Sequence, residues 1–228
     1  MISVIIPTLN EKKNIQLISR KLLKIKFIHE IIFVDDNSSD GTFLEIKKLK
    51  KFKKIRGFLR KKNRDLCKAV IFGVNKAKKN NILVMDCDLQ HDVFFIKKMW
   101  KNFNQRKVDM VIASRFKKKK FSGNLGFVRS LFSVFTIIII NIVLGKKTTD
   151  PLSGFFICKK EIITKYKKSF FAKGYKILFD IIYNGQNNLI IYDYGIIFKK
   201  RIHEKSKFNF KIIKLFFRQF MYTISLEK

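Results

Sequence analysis

The sequence predicts an α/β fold: a mostly parallel sheet with helices on both faces. Two observations predict it. Short apolar runs alternate with stretches of helical periodicity through the first half of the chain, and strands separated by helices imply parallel pairing with helices covering the sheet. The runs also end at Asn10-Glu11, Asp35-Asp36, Asp86-x-Asp88 and Ser114-Arg115, and the carboxyl ends of strands are where an open α/β sheet gathers its functional loops. With 228 residues, 47% of them hydrophobic, the chain can bury a sizeable core.

Taken in order, Ser3–Ile6 is an apolar strand that Pro7 is expected to break. Asn14–Lys26 carries Ile15, Ile18, Leu22 and Ile25 at helical spacing. Glu30–Val34 is a second strand, followed by Asp35-Asp-Asn-Ser-Ser-Asp-Gly41, a cluster of turn and cap residues. Helix is predicted over Thr42–Lys50, strand over Ile55–Leu59 and helix over Leu66–Lys79. Strand over Ile82–Met85, helix near Val93–Phe103 and strand over Met110–Ala113 complete this half.

The second half reads differently. Arg129–Leu144 is apolar but interrupted by Ser133, Thr136 and Asn141, and its uninterrupted run is shorter than the ~20 residues that cross a bilayer. Phe208–Leu226 mixes Phe208, Phe210, Ile212, Ile213, Phe216, Phe217 and Phe220 with Lys211, Lys214 and Arg218, a combination that suits a helix lying in a membrane interface. The sequence therefore divides into a domain over 1–207, including an interface helix at about 128–144, and a membrane-associating amphipathic segment over 208–228. No sheet is expected in this half.

Composition bounds the partners. Lys and Arg number 50 against 17 Asp and Glu, a formal charge of +33. A polyanionic partner, nucleic acid or an anionic membrane surface, would explain it. So would compositional drift, since Lys, Ile, Asn and Phe are all abundant and only 2 prolines occur. Cys67, Cys87 and Cys158 are widely spaced and odd in number, which predicts free thiols rather than a disulfide framework or a zinc site. Met1 leads straight into Ser3-Val-Ile-Ile-Pro7 with no signal-peptide pattern, so a peripheral position on the cytoplasmic side of a membrane is expected.

Asp86-Cys-Asp88 carries the most chemistry. Two hard oxygen donors at a strand end suit a divalent cation shared with a phosphate, because Mg²⁺ takes one or two protein carboxylates and keeps waters. Glu11, Asp35, Asp36, Asp86 and Asp88 are 5 of only 17 acidic residues. Their gathering predicts a neutralising cation or ligand donors, since clustered like charges repel. A nucleotide fits, its ribose and base donating to carboxylates while the metal bridges to the diphosphate. Neither G-x-x-x-x-G-K-[ST] nor G-x-G-x-x-G occurs, so a P-loop or dinucleotide fold is unsupported.

Several motifs then resemble a known family in the right order. Val4-Ile-Ile-Pro-Thr-Leu-Asn-Glu11, Glu30-Ile-Ile-Phe-Val-Asp-Asp-Asn-Ser-Ser-Asp-Gly-Thr42 and Val84-Met-Asp-Cys-Asp-Leu-Gln-His91 are similar to family-2 glycosyltransferases of the GT-A fold, a Rossmann-like nucleotide-diphospho-sugar transferase architecture. The polyprenyl (dolichyl) phosphate mannosyltransferase branch matches best. Asp109–Arg115, Arg129-x-x-x-Ser133, Asp150-Pro-Leu-Ser-Gly-Phe-Phe156, Gly174–Leu178, and Phe198-x-x-Arg201 with Ser206-Lys207 extend the resemblance over nearly the whole chain.

The resemblance implies roles. Pro7, Leu9, Glu11, Val34 and Asp36 would hold the nucleoside. Asp86, Asp88 and Gln90 would place Mg²⁺ or Mn²⁺ on the diphosphate, with Cys87 contributing backbone. Arg115, Arg129 and Ser133 would hold an acceptor lipid phosphate, and Arg201 and Lys207 would close over the phosphates. The implied catalytic set is Asp86, Asp88, Arg115, Arg129 and Ser133. Only nine arginines occur, and Arg115, Arg129 and Arg201 fall in these motifs, where a guanidinium suits bidentate phosphate contacts.

The implied reaction moves a hexose, with GDP-mannose the favoured donor, to a polyprenyl phosphate with inversion, at an anionic membrane surface. Leu9 stands where the family commonly has Tyr, which leaves nucleobase preference open. Asp65 and Glu204 stand where it has Gly. A UDP-sugar transferase to the same acceptor is the alternative within the fold. A basic nucleic-acid-binding protein is a remote one, since no RNA-binding signature occurs and no nucleic-acid partner is expected.

Overall fold

The computed structural model describes residues 1–117, 137, 138, 140, 141, 145, 147–171, 177–185, 188–197, 218, 221 and 222. Among these, the strands are β1 (Ile2–Thr8), β2 (Ile28–Asp35), β3 (Ile55–Leu59), β4 (Asn81–Val84), β5 (Met110–Ser114), β6 (Phe156–Lys159) and β7 (Ile191–Gly195). The helices are α1 (Lys12–Leu23), α2 (Thr42–Lys48), α3 (Leu66–Lys76), α4 (Phe94–Gln105), α5 (Lys160–Tyr166) and α6 (Ile177–Gly185). The strands form one sheet in the order β3-β2-β1-β4-β6-β5-β7. All neighbours pair in parallel except β6, which runs antiparallel to β4 on one side and β5 on the other.

Two of the seven strands therefore come from the second half of the chain, against the expectation of no sheet there. The reason is local. Phe156–Lys159 is a four-residue run, too short to show a period that separates strand from buried helix. It lies between β4 and β5 and joins two parts of the sheet that are otherwise unconnected.

Both faces of the sheet are covered, so its strands are apolar on both sides. One face presents Ile5, Ile32, Val34, Ile82, Val84, Ile112 and Phe156 to Val70 and Val74 of α3 and to Ile163, Phe179 and Ile182 of α5 and α6. The other presents Val4, Ile6, Ile31, Phe33, Leu83, Val111 and Ile157 to Ile15, Ile18 and Leu22 of α1 and to Ile96, Met99 and Phe103 of α4. Successive residues of each strand alternate between these two cores, as the pleat requires. Cys67, Cys87 and Cys158 are free and buried, and burial pushes the Cys158 thiol up, away from the reactive thiolate.

Pro7 does not break β1. The strand runs on to Thr8, with Pro7 opposite Val34 of β2. On the other side, Met85 donates to the Ile5 carbonyl at 3.2 Å, one step past the last paired residues, Ile5 and Val84. The next rung of a parallel ladder would need an N–H at residue 7, and proline has none. The β1–β4 ladder ends there, and the chain is released into Asp86–Asp88.

At the opposite end of the sheet a buried carboxylate ties three elements together. Glu30 accepts from the Ser3 hydroxyl at 2.7 Å, the Lys78 N–H at 2.6 Å and Arg56 Nη1 at 2.6 Å. Burial alone would raise its pKa, but the Lys78, Ser3 and Arg56 donors outweigh it and hold the carboxyl below its ordinary value. A depressed folded-state pKa gives stability that is present above the unfolded value, about 4.3, and lost as pH falls through the folded value. Glu30→Gln should cost about 2 kcal/mol at neutral pH. It should also flatten that segment of the acid-unfolding curve, which denaturant melts between pH 3 and 7 would reveal.

Candidate active site

The parallel strands bring the expected residues to one edge. Leu9 and Glu11 follow β1, Asp36 follows β2, Asp86–Gln90 follow β4 and Arg115 follows β5, with Pro7 and Val34 on the last turns of their strands. Because β6 runs the other way, the chain entering it, Asp150–Phe155, lies at the same edge. Arg129, Ser133, Arg201 and Lys207, together with the implied interface helix and the 208–228 segment apart from Arg218, Met221 and Tyr222, lie largely or wholly outside the described residues.

In the acidic cluster after β2, Asp35 and Asp40 are supplied with donors by the protein itself. Asp35 accepts from the Ser38 N–H at 3.0 Å and hydroxyl at 2.6 Å, and from Thr8 Oγ1 at 3.2 Å. Asp40 accepts from the N–H groups of Lys12 at 3.0 Å and Thr42 at 2.9 Å. These are turn and cap bonds that Asp makes wherever backbone donors are exposed. Asn10 (φ 55°) and Asn37 (φ 58°) take the left-handed turns that join the two loops, and the Asn10 N–H reaches Ser38 Oγ at 2.8 Å.

Asp36 is set differently. Its N–H donates to the Thr8 carbonyl at 3.0 Å, while its carboxylate meets Arg60 Nη1 at 2.5 Å and the Asp65 N–H at 2.8 Å. Burial pushes its carboxyl above the usual range, against the opposing pull of the Asp65 N–H and Arg60. Arg60 and Arg64, neither among the expected site residues, fold back on this loop: Arg64 Nε donates to the Asp36 carbonyl at 3.0 Å. Sequence alone offered one signal for Arg60, its place at the end of a predicted strand.

Asp88 is 6% exposed, and its Oδ1 accepts the Gln90 N–H at 3.1 Å across a left-handed Leu89 (φ 61°). Cys87, Leu89, Gln90 and His91 are buried around it, with the His91 ring stacked 4.7 Å from Phe155. Asp86 lies against Gly154, where a Cβ would stand 2.8 Å from Asp86 Oδ2 and 3.3 Å from its Cγ. Among the described residues, no three His, Cys, Asp or Glu side chains gather into a metal cage. Two carboxylates one residue apart at a strand end are nonetheless a donor set that a hard divalent cation accepts.

Arg115 forms a forked pair with Asp150, a residue whose site role the sequence did not reveal. Nε donates to Oδ2 at 2.7 Å, Nη2 to Oδ1 at 2.8 Å, and the Arg115 N–H to Oδ2 at 3.1 Å. Burial alone would lower the arginine's pKa, but the Asp150 carboxylate and, beyond it, Asp86 more than reverse this. The guanidinium thus keeps its charge beside Asp150, with the Asp86 carboxylate acting on it as well.

The close approach of Gly154 gives a prediction. Gly154→Ala must push the Asp86 carboxylate aside, because that side chain is what the new methyl meets. Any activity that uses the Asp86 carboxylate should fall about 10- to 100-fold, as for a misplaced reacting group, with the melting temperature little changed. Paired activity and thermal-melt measurements check this.

Comparison with known proteins agrees with the geometry. The family model described as "Glycosyl transferase family 2" matches residues 3–167. The chain is 32% identical over 224 residues to a dolichol-phosphate mannosyltransferase of Pyrococcus furiosus, covering 95% of this chain and 63% of that protein. It is 26% identical over 192 residues to the dolichol-phosphate mannosyltransferase of Saccharomyces cerevisiae, covering 79% of this chain and 69% of that one. Among solved structures, glucosyl-3-phosphoglycerate synthase from Mycobacterium tuberculosis, in complex with Mn²⁺ and UDP-glucose, superposes with a TM-score of 0.73 at 18% identity, covering 98% of this chain and 77% of that one. The sheet order, the strand-end carboxylates and these matches lead to one statement: the chain is a GT-A-fold member of glycosyl transferase family 2.

Proposed function

We propose that this chain transfers a hexose, with mannose from GDP-mannose the favoured donor, to a polyprenyl phosphate with inversion at the anomeric carbon. The observation that carries the reading is the convergence of Asp36, Asp86, Asp88 and Arg115 on one edge of the sheet. The two dolichol-phosphate mannosyltransferases to which the chain is similar support the acceptor class.

In this reading Pro7, Leu9, Glu11, Val34 and Asp36 bind the nucleoside. Asp86 and Asp88, with Gln90, would hold Mg²⁺ or Mn²⁺, which when bound supplies Lewis-acid stabilisation to the departing diphosphate. Arg115, Arg129 and Ser133 orient the acceptor phosphate, and Arg201 and Lys207 offset charge on the leaving group. A phosphate oxygen attacks the anomeric carbon as the bond to the nucleoside diphosphate breaks. That oxygen is already ionised at neutral pH, the second pKa of a phosphomonoester being about 6. No general base is required, which agrees with a His91 packed against Phe155 rather than poised as a base.

A polyprenyl acceptor stays in its bilayer, so the enzyme works at an anionic membrane surface, facing the cytoplasm and bound peripherally. No helix among the described residues is long and apolar enough to cross a membrane. Co-sedimentation with vesicles should rise with anionic lipid content and fall with salt.

A UDP-sugar donor is the second reading, supported by the UDP-glucose complex of the mycobacterial structure, while Leu9 leaves the nucleobase preference open. Radiolabelled GDP-mannose and UDP-glucose, each offered with undecaprenyl phosphate and Mn²⁺, separate the two. Label entering the lipid phase from GDP-mannose alone supports the first. Label from UDP-glucose alone supports the second, and label from neither refutes GDP-mannose and UDP-glucose as donors.

A further inference from the structure

We infer that Asp193, on the edge strand β7, is a positioning residue that fixes the Arg115–Asp150 pair without touching it. This rests on Arg115 serving the transfer reaction proposed above. The Asp193 carboxylate is the terminus of two hydrogen-bond chains, one leading to Asp150 and the other to the residues that flank Arg115. Oδ1 accepts from Thr148 Oγ1 at 2.6 Å. Oδ2 accepts from the Thr149 N–H at 2.6 Å and from Thr149 Oγ1 at 2.7 Å.

The direction of each bond follows from what the groups can do. A carboxylate only accepts, so both threonine hydroxyl protons point at Asp193. Thr148 Oγ1 is then left to accept, and it takes the Asp150 N–H at 3.2 Å. Thr149 Oγ1 is likewise left to accept, so in its 2.7 Å contact with Ser114 Oγ the serine is the donor. Ser114 Oγ in turn accepts the N–H groups of Phe116 and Lys117, each at 3.1 Å.

One chain therefore runs from Asp193 through Thr148 to the backbone of Asp150. The other runs through Thr149 to Ser114, the residue before Arg115, and on to the N–H groups of Phe116 and Lys117 after it. Lys117 also caps the Asp193 carbonyl through its ammonium group. A single carboxylate thus orders both the arginine-bearing loop and the loop that supplies its partner. The two loops join different strands, and the parallel pairing of Ile112 with Asp193 brings them to one carboxylate.

The chemistry of the amide sharpens the expectation. In Asp193→Asn one oxygen becomes an NH₂ donor. The remaining oxygen is claimed by Thr149, whose N–H has no other choice, and the NH₂ then faces Thr148 Oγ1. The Thr148 hydroxyl must then accept from the NH₂ and turn its own proton away. The charge-assisted bond that anchored Thr148 is thus replaced by a weaker neutral one, and the link through it to Asp150 is loosened, while the fold keeps its other bonds. Thr149→Val removes the second chain alone, and Thr149→Ser restores it.

The test follows the Arg115 Nε–H signal by NMR, assigned by its loss in Arg115→Lys, alongside transfer rate and Mn²⁺-dependent nucleoside diphosphate affinity. Solvent exchange of that proton should speed up at least tenfold in Asp193→Asn and in Thr149→Val, and stay near the wild-type rate in Thr149→Ser. Transfer should fall about 10- to 100-fold in the first two, with nucleotide affinity within twofold. Asp193→Asn should add little loss once Arg115 is Lys, the non-additivity expected of residues that act through one another. Exchange at the wild-type rate in both Asp193→Asn and Thr149→Val overturns the inference, as does a full additional loss in the Arg115→Lys background. A wild-type chain that transfers no sugar would refute the functional reading instead, and the exchange rates would still decide this one.

Discussion

Asp88→Ala is expected to lower transfer about 10³-fold, the loss that follows removal of one preorganised group stabilising a departing anion. Asp88 is buried, and the hydrogen bond its carboxylate accepts from the Gln90 N–H contributes about 1 kcal/mol to stability. Relief of a buried charge beside Asp86 works in the opposite direction. A melting temperature close to wild type with activity lost would place the effect in the chemistry. Near-normal transfer by Asp88→Ala with the metal chelated would refute the role given to the pair.

Asp150→Ala should have the larger effect on stability. Asp150 is fully buried and receives three donors of Arg115. Removing it takes the forked carboxylate away from a half-buried guanidinium, a loss of about 3 kcal/mol for pairs broken from one side. The double variant Asp150→Ala with Arg115→Met removes both charges and should recover much of that stability, because the penalty lies in a desolvated charge that has lost its forked carboxylate. It should not recover transfer. Urea denaturation of the two variants beside wild type measures the first claim, and the transfer assay the second. If Asp150→Ala were as stable as wild type, Arg115 would have to find another partner.

The first half of the sheet was legible in sequence because each strand there is a run of apolar residues bounded by turn formers. Ile55–Leu59 matches β3 in full, and Met110–Ala113 falls one residue short of β5. Helix ends were less legible. The α1 pattern reaches Ile25, but the helix stops at Leu23, and Ile25 fills the core from the turn that follows. β7 was missed because Ile191-Tyr-Asp-Tyr-Gly195 carries a carboxylate and a glycine in five residues. Its Asp193 is tolerated in a strand because two threonines from another loop satisfy it.

The candidate site was legible where it depends on strand ends and illegible where it depends on tertiary partners. Asp86 and Asp88 stand out because an apolar strand stops at them. Nothing local distinguishes Asp35 and Asp40, which serve their own turns, from Asp36, which faces Arg60. The approach of Gly154 to Asp86 and the fork between Arg115 and Asp150 join segments that only the antiparallel β6 brings together. A sequence pattern without the sheet order cannot place them.

The central claim is that Asp86 and Asp88 hold a divalent cation against the diphosphate of a sugar nucleotide. Titration calorimetry of GDP and of UDP into the wild-type chain and into Asp88→Ala, each with Mn²⁺ and with chelator, tests it directly. The account predicts nucleotide binding that needs Mn²⁺ in the wild type and weakens at least tenfold in Asp88→Ala. Binding of equal strength with chelator present, or unchanged by Asp88→Ala, would contradict it.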